Sequence, residues 1–493
     1  MSEHGLPADV SRRQMLLRSA AIAAIAAPGT ALAAGCAAGS GSAPKSTTGS
    51  SSGGGSTSSG GSSSADPKNP FGVKDSDPLD VYVFKGGYGD DYAKAFEEQY
   101  KKAHPGANVT HKGAQDVTGD LQPRFNAGSP PDVIDDSGAK QIKLDVLNKN
   151  GQLTNLDKLL DAPSIDDPSK KVRDTLLPGT VEIGLLGSSM FSLNYAFTVW
   201  GLWYSSTLFQ KNGWQIPKTW DDFMTLCATI KGTGMAPFCH QGKYPYYMMV
   251  PLMDMVAKNG GPDAMTAIDN LEPNAWKSDA VKNSVDALYM LVDKGYMLPG
   301  TEGLTHIQSQ TQWNQGKAAV IPCGSWLENE QLAATPADFG MAVFAMPSLS
   351  GDKMPGTAIR AGAGEPFIVP AKAKNQAGGL EFLRIMCSKA GGASFAQNAN
   401  SLSVVKDAIT PDIAAKLKPG TKSSNDLYSA ANGQIITWYY LNWYSQFESD
   451  LEDAMSQLMA NKIKPDEFIT RAQKAADKCA ADSSVQKFKR PTT

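Results

Sequence analysis

The stretch Ala196–His240, AFTVWGLWYSSTLFQKNGWQIPKTWDDFMTLCATIKGTGMAPFCH, constrains the fold more than any other. Ala196–Tyr204 is rich in β-branched and aromatic residues and lacks the polar alternation of a half-wet strand, so it predicts a strand buried on both faces. Thr219 then precedes Trp220, Asp221 and Asp222, a hydroxyl placed to cap a helix. Phe223, Leu226, Cys227 and Ile230 follow at spacings of three and four, and Gly232 and Gly234 end the run. Met235–Cys239 fits a second short strand. Strand, capped helix and strand in succession point to an α/β fold.

The same alternation begins upstream. Leu79–Phe84 (LDVYVF) predicts a buried strand, and Tyr92, Phe96, Tyr100 and Ala103 line one face of a helix ended by His104, Pro105 and Gly106. Ala107–His111 and Pro131–Asp135 predict two further strands around a helix near Leu121–Phe125, giving a largely parallel sheet. Ligands of such sheets bind beyond the carboxyl ends of the strands, which directs attention to the loops Lys85–Gly89 and Asp135–Ala139. The GGYG of the first is no nucleotide loop, because it lacks the GxGxxG order and no Gly-Lys-Ser/Thr follows. Gly151–Leu160 reads as a helix at the domain edge. Helices are also predicted over Asp263–Leu271, Ser278–Lys294 and Thr311–Gln315, and the tail Leu451–Lys478 is helix-forming.

The chain has 493 residues, 41% hydrophobic and 19% charged, enough apolar material for at least two domains. Met1–Gly35 carries three Arg and two acids, so its removal takes the net charge from −3 to −4, which argues against a nucleic-acid partner. Ser11–Leu16 (SRRQML) resembles a twin-arginine export signal, and Leu32–Cys36 (LAAGC) resembles a bacterial lipobox, with Ala33 where Leu is commoner. The resemblance implies lipid on Cys36, anchoring the protein to a membrane without spanning it. Ala37–Ala65 is almost wholly Ser, Gly, Thr and Ala and reads as a flexible tether. No later run is long and apolar enough to span a bilayer. With Cys36 lipidated, the five cysteines that remain cannot all pair. Cys227 and Cys239 alone are close in sequence, and both a bridge and free thiols stay open. No Cys or His spacing suits a metal.

Trp203, Tyr204, Leu208, Phe209, Gly213, Pro217, Thr219, Trp220, Asp221 and Phe223 resemble the central signature of family 1 solute-binding proteins, the extracytoplasmic receptors of carbohydrate ABC importers. Ser205 stands where the family usually has Asp or Asn. The resemblance implies a two-lobed (type II) fold of the periplasmic-binding-protein kind, each lobe a mainly parallel sheet flanked by helices, with crossing hinge segments beside a sugar cleft. The expected division is a leader (1–35), a tether (36–66), lobe 1 (67–195 and 351–405) and lobe 2 (196–350 and 406–493). Long stretches such as Pro130–Ala139, Lys170–Glu182, Leu193–Ser205 and Ala361–Asn375 are similar to receptors for N-acetylglucosamine and diacetylchitobiose, which implies an amino-sugar ligand.

On that basis the sugar-contacting candidates follow the loops and crossings. Lys85, Tyr88 and Asp136 come from the first two strand loops, with a plain turn and a helix cap as their alternatives. Asn194, Thr198 and Trp200 lie on the crossing strand, where Trp200 also suits the core. Gln241 and Tyr244 come from the tyrosine-rich QGKYPYY. Gly316–Glu330 (GKAAVIPCGSWLENE) resembles the family's Gly-x-Trp element, in which Gly324 turns the backbone so that Trp326 enters the cleft and stacks on the C–H face of a sugar. Arg360 and Glu365 flank the second crossing, where a surface ion pair of little worth is the alternative. Trp438 or Trp443, from Ile436–Tyr444 (ITWYYLNWY), supplies a second stacking surface.

A binding receptor for a mono- or oligosaccharide, serving ABC permease subunits as a monomer and without a cofactor, accounts for these features best. A malto- or cello-type ligand is the nearest alternative within that class. A glycosidase needs two carboxylates across a sugar, and the adjacent Asp135 and Asp136 point to opposite faces. No GxSxG element is present. A sensory or adhesion lipoprotein on the same fold stays open, because fold does not fix partner.

Overall fold

A computed structural model describes residues 66–490. The leader, Cys36 and all but the last residue of the tether lie outside the described residues.

The structure is built on one long strand, Leu193–Ser205, buried at all but two positions. Its first half pairs antiparallel with Ile359–Ile368, from Leu193 opposite Phe367 to Val199 opposite Ala361, and with Leu402–Ser403 on its other edge. Its second half pairs antiparallel with Ala318–Gly324, from Trp200 opposite Gly324 to Tyr204 opposite Val320, and with Met341–Phe344. Neighbours pair with both edges in both halves, and both faces are covered, as the burial of Tyr195, Ala196, Leu202 and Trp203 shows, so the run needs no polar alternation. One strand is thus central to two sheet halves.

The first half continues through Val133–Asp135, Leu79–Phe84 and Val109–Ala114, which are mutually parallel, whereas Ile359–Ile368 runs antiparallel to Val133–Asp135 and Leu193–Ser205 and parallel to Ile435–Ile436. Helix Asp91–Ala103 buries Tyr92, Phe96 and Tyr100 against this half. Ala103 is exposed instead, because the buried His104 packs its ring on Tyr100 at 4.9 Å and occupies that face. The predicted helix over Gly151–Leu160 is confined to Asp157–Asp161.

In the second half Ala236–Phe238 runs parallel to Ala318–Gly324, with helices Trp220–Gly232, Tyr246–Gly260 and Asp279–Asp293 packed into the same core. Thr219 and Asp222 form a reciprocal capping box at the start of Trp220–Gly232, worth about 1 kcal/mol. Ser205 does the work of the expected Asp or Asn: its Oγ accepts from Leu208 N at 3.1 Å and caps Ser206–Asn212. Trp203 is fully buried and its indole N–H donates to Cys323 O at 2.9 Å, so its polar edge is satisfied in the core.

The two cysteines close in sequence are not bridged. Cys227 and Cys239 are both free and buried. Both side chains belong to the buried core, where the Cys239 thiol also reaches Ser309 O at 4.0 Å, and burial pushes the Cys227 thiol up to about 12. Among the described residues no helix is long and apolar enough to cross a membrane.

Candidate functional site

Where the long strand passes from one half to the other, four aromatic rings meet. Trp200 pairs in register with Gly324, and the Trp326 ring lies over that glycine so closely that a Cβ there would overlap it. Trp326 meets Trp200 edge to face, at 4.9 Å between centroids and 85° between planes. Tyr246 and Tyr247 each lie 5.7 Å from Trp200, and 4.3 Å from one another. Trp200 and Tyr247 are buried, whereas Trp326 and Tyr246 remain partly exposed and keep ring surface available. Partly exposed rings backed by buried ones form a rigid apolar platform.

The Gly87 backbone and the Glu330 side chain border this platform. Gly87 is so close that a Cβ on it would sit 2.8 Å from Glu330 Cγ and 3.1 Å from Trp326 Cβ. Glu330, one helical turn beyond Trp326, accepts from Gln310 Nε2 at 2.6 Å, and Gln310 accepts in turn from Gln331 Nε2 at 3.0 Å. Burial pushes Glu330 up to about 7 and pushes His306, 3.6 Å away, below the usual histidine range.

Tyr88 is 6% exposed, with its ring edge on Phe395 at 5.6 Å, and its hydroxyl has no hydrogen-bond partner. Burial first, and then the charge of Glu365, push that hydroxyl well above the usual tyrosine range, with Ser401 and Ser325 close by. Glu365 holds φ +58° within the strand Ile359–Ile368, a conformation that L residues rarely adopt and that costs on the order of 1–3 kcal/mol. Its carboxyl meets that of Asp135, which accepts from Tyr92 Oη at 2.8 Å and from Ser137 Oγ at 2.5 Å. Burial pushes both carboxyls well up, and their mutual repulsion adds to the rise of Glu365.

The remaining candidates divide. Asp136 is buried, accepts from Ile142 N at 2.8 Å and leaves Oδ2 without a partner; burial pushes it up to about 8. Gln241 donates to Pro322 O at 2.9 Å and leaves its buried carbonyl unpaired, and Tyr244 packs on His306 at 5.3 Å. Asn194 donates to Ser192 Oγ and Thr198 to Gly362 O, both within the sheet half that carries Glu365. Lys85 is tied to Asp90 at 3.0 Å with its side chain half exposed.

Arg360 stacks on Trp438, with Cζ 3.9 Å from the ring centroid. Trp438 is 1% exposed and lines, with Tyr246 and Glu452, a cavity of about 10 Å³, so it supports the platform from behind. Trp443 stands apart. Its faces are taken by Tyr439, stacked at 5.3 Å and 16°, and by Phe488 at 5.5 Å, so the expected stacking surface there is core. A groove of about 260 Å³ between Phe125, Asn150 and Lys372 contains none of the candidates.

Residues 86–393 match the family described as bacterial extracellular solute-binding protein. The chain belongs to that family. The diacetylchitobiose binding protein NgcE of Streptomyces coelicolor is 35% identical over 425 residues, which cover 85% of this chain and 89% of that one. The multiple sugar-binding protein of Streptococcus mutans is 24% identical over 282 residues, 56% of this chain and 64% of that one. A solved structure described as a chitin oligosaccharide binding protein superposes with a TM-score of 0.68 at 20% identity, covering 83% of this chain and all of that one, so the solute-binding protein shares its two-lobed α/β fold.

Glu330, Tyr246 and Tyr247 are not among the sugar-contacting residues expected from sequence, and Asp135 is expected there only as a loop start and as a carboxylate unsuited to hydrolysis. Glu330 was accessible through its spacing of four from Trp326, which places both on one helical face. Tyr246 and Tyr247 belong not to a loop but to the first turn of Tyr246–Gly260, a helix whose pattern Pro251 interrupts.

Proposed function

We propose that this solute-binding protein is an exported receptor that captures N-acetylglucosamine or chitooligosaccharides between two closing lobes and delivers them to an ABC importer. The observation that carries it is the Trp200, Trp326, Tyr246 and Tyr247 platform faced by Glu330 and the unpartnered Tyr88 hydroxyl. A pyranose offers a C–H face to an indole while its hydroxyls need acceptors and donors at the rim, and this site supplies both. The similarity to a diacetylchitobiose binding protein supports an acetylated amino sugar.

Lobe 1 is taken as 67–195 with 351–405 and lobe 2 as 196–350 with 406–493, so the two crossings carry the hinge. Gly87 of lobe 1 meets Trp326 of lobe 2, and rotation about the crossings opens or closes that contact. Ligand that touches both lobes favours the closed state, the form a permease distinguishes from the empty one. A lipid on Cys36 and the tether behind it keep the receptor near its permease. The carboxyls act as hydrogen-bond partners in a receptor, and the protein is not a hydrolase.

Calorimetric titration of the purified protein with N-acetylglucosamine, diacetylchitobiose, maltose and cellobiose tests the proposal. Binding of the acetylated sugars alone is the expected result. Binding of maltose or cellobiose alone moves the ligand class, and no binding of any of the four removes the sugar-transport function.

A further inference from the structure

Two short segments far apart in sequence meet at the edge of the platform. The turn that follows Val133–Asp135 leads through Lys143 into helix Leu144–Lys149, which carries Asp145, and helix Ser445–Met459 carries Glu448 in its first turn. Lys143 Nζ lies 2.8 Å from Glu448 Oε2, and Asp145 Oδ2 accepts from Ser445 N at 3.0 Å and from Ser445 Oγ at 2.7 Å. The partners stand 305 and 300 positions apart, so no local preference brings them together. The first segment belongs to the half of the molecule that contains the strand Val133–Asp135. The second belongs to the other half, where Phe447 packs edge-on to Trp276 at 6.1 Å and Leu451 and Met455 share a core with Tyr246–Gly260.

Two features set this contact apart from a surface ion pair. The Glu448 side chain is 14% exposed, so its charge is answered by Lys143 more than by water. Helix Ser445–Met459 has no side-chain cap of its own at Tyr444, and the Asp145 carboxylate satisfies its first N–H from the opposite half, where a negative charge also suits the positive end of the helix dipole. The contact adjoins the ligand surface on both sides. Glu448 and Glu452 line one small cavity with Tyr246 of the platform. Asp136 accepts from Ile142 N at 2.8 Å, one residue before Lys143, while its Oδ2 is buried without a partner. A ligand hydroxyl donated to that oxygen therefore acts on the same turn that carries Lys143.

We propose that Lys143 and Asp145 form a latch across the cleft, which engages Glu448 and Ser445 when the halves come together on the sugar and sets the receptor's affinity without touching the ligand. The inference rests on the sugar-receptor function above and on its two lobes, and it names the positioning residues that hold the closed state. Separation of the halves returns both contacts to water. One half-exposed ion pair and one carboxylate cap are weak enough to let the empty cleft open, and they slow release once a sugar fills it. Apparent affinity falls in proportion to the closed population that the latch no longer supports.

The test is a double-mutant cycle on the purified protein. Diacetylchitobiose is titrated calorimetrically into wild type, Lys143→Met, Glu448→Gln and the double variant, its release is timed by stopped-flow tryptophan fluorescence, and the same four proteins are unfolded by denaturant without sugar. Each single substitution is expected to weaken the sugar about three- to tenfold, chiefly through faster release. The double variant is expected to bind about as well as the weaker single one, a coupling absent from unfolding without sugar. Asp145→Ala breaks the second contact independently and is expected to weaken the sugar in the same way, which keeps the test open should a Glu448 variant fail to fold. Wild-type affinity in both Lys143→Met and Asp145→Ala overturns the latch and leaves the receptor function intact. Equal coupling in unfolding without sugar does the same, because it marks a permanent seam between the halves. Absence of diacetylchitobiose binding to wild type overturns the latch together with the acetylated-sugar receptor on which it rests.

Discussion

Two aromatic regions of the protein look alike as sequence and differ as structure. Ile436–Tyr444 packs five aromatic residues into nine positions, yet Trp438, Tyr439, Tyr440, Trp443 and Tyr444 are all at least nine-tenths buried, and Tyr439, Trp443 and Phe488 cover one another. Around Trp326 the sequence offers a single indole after a glycine, and the structure leaves that ring partly open among Glu330, Gly87 and Trp200. Density of aromatics marks a core, because adjacent rings satisfy each other. A ring that a glycine frees from its own strand and that stays partly open suits the binding surface proposed above.

The sharpest way to break this contrast is to truncate one tryptophan in each region. Trp443→Ala removes a fully packed ring and is expected to cost about 3–5 kcal/mol of stability, read by chemical denaturation, with ligand affinity of the folded protein retained. Trp326→Ala is expected to do the reverse, costing about 2 kcal/mol of sugar binding by calorimetry while the unfolding midpoint moves little. Loss of binding in the first and not in the second would invert the assignment.

A pH series sharpens the same contrast through charge. Glu330 is held up at about 7 against an ordinary 4.5, so the folded protein retains a proton there that the unfolded chain releases. That penalises the folded state increasingly as pH rises from about 4.5 through 7, by about 1–3 kcal/mol at the upper end. Glu330→Gln, neutral throughout, is expected to gain stability relative to wild type as pH rises across that window, in thermal melts at fixed ionic strength. A constant difference between the two proteins would show that the site does not carry an uncompensated acid. The smallest effect belongs to Lys85, whose pairing with Asp90 is half exposed: Lys85→Ala is expected to change stability by less than about 1 kcal/mol and to leave sugar affinity within about twofold.

Much of the scaffold was legible because local chemistry and tertiary placement agree. Leu79–Phe84 is apolar because it is covered on both faces, and the Thr219 cap works through residues three apart in sequence. Trp326 was legible for the same reason, since Gly324 explains it locally. The polar half of the site was not. Asp135 and Glu365 meet only because antiparallel pairing sets Phe367 opposite Asp135, a contact between segments far apart in sequence. The positive φ of Glu365 has no counterpart in residue type, and Pro251 concealed the helix that presents Tyr246. The Cys227–Cys239 proximity in sequence likewise said nothing about sulfur geometry, which leaves both thiols free in the buried core.

The central claim is that a sugar binds on the Trp326 platform at the crossing of the two halves. Its most direct test is calorimetric titration of diacetylchitobiose into wild type, Trp326→Ala and Trp443→Ala under one set of conditions. Saturable binding to wild type and Trp443→Ala, with affinity lowered at least about tenfold in Trp326→Ala, is the expected result. Equal affinity in wild type and Trp326→Ala would contradict the claim, because the ring proposed to stack on the sugar would then contribute nothing to holding it.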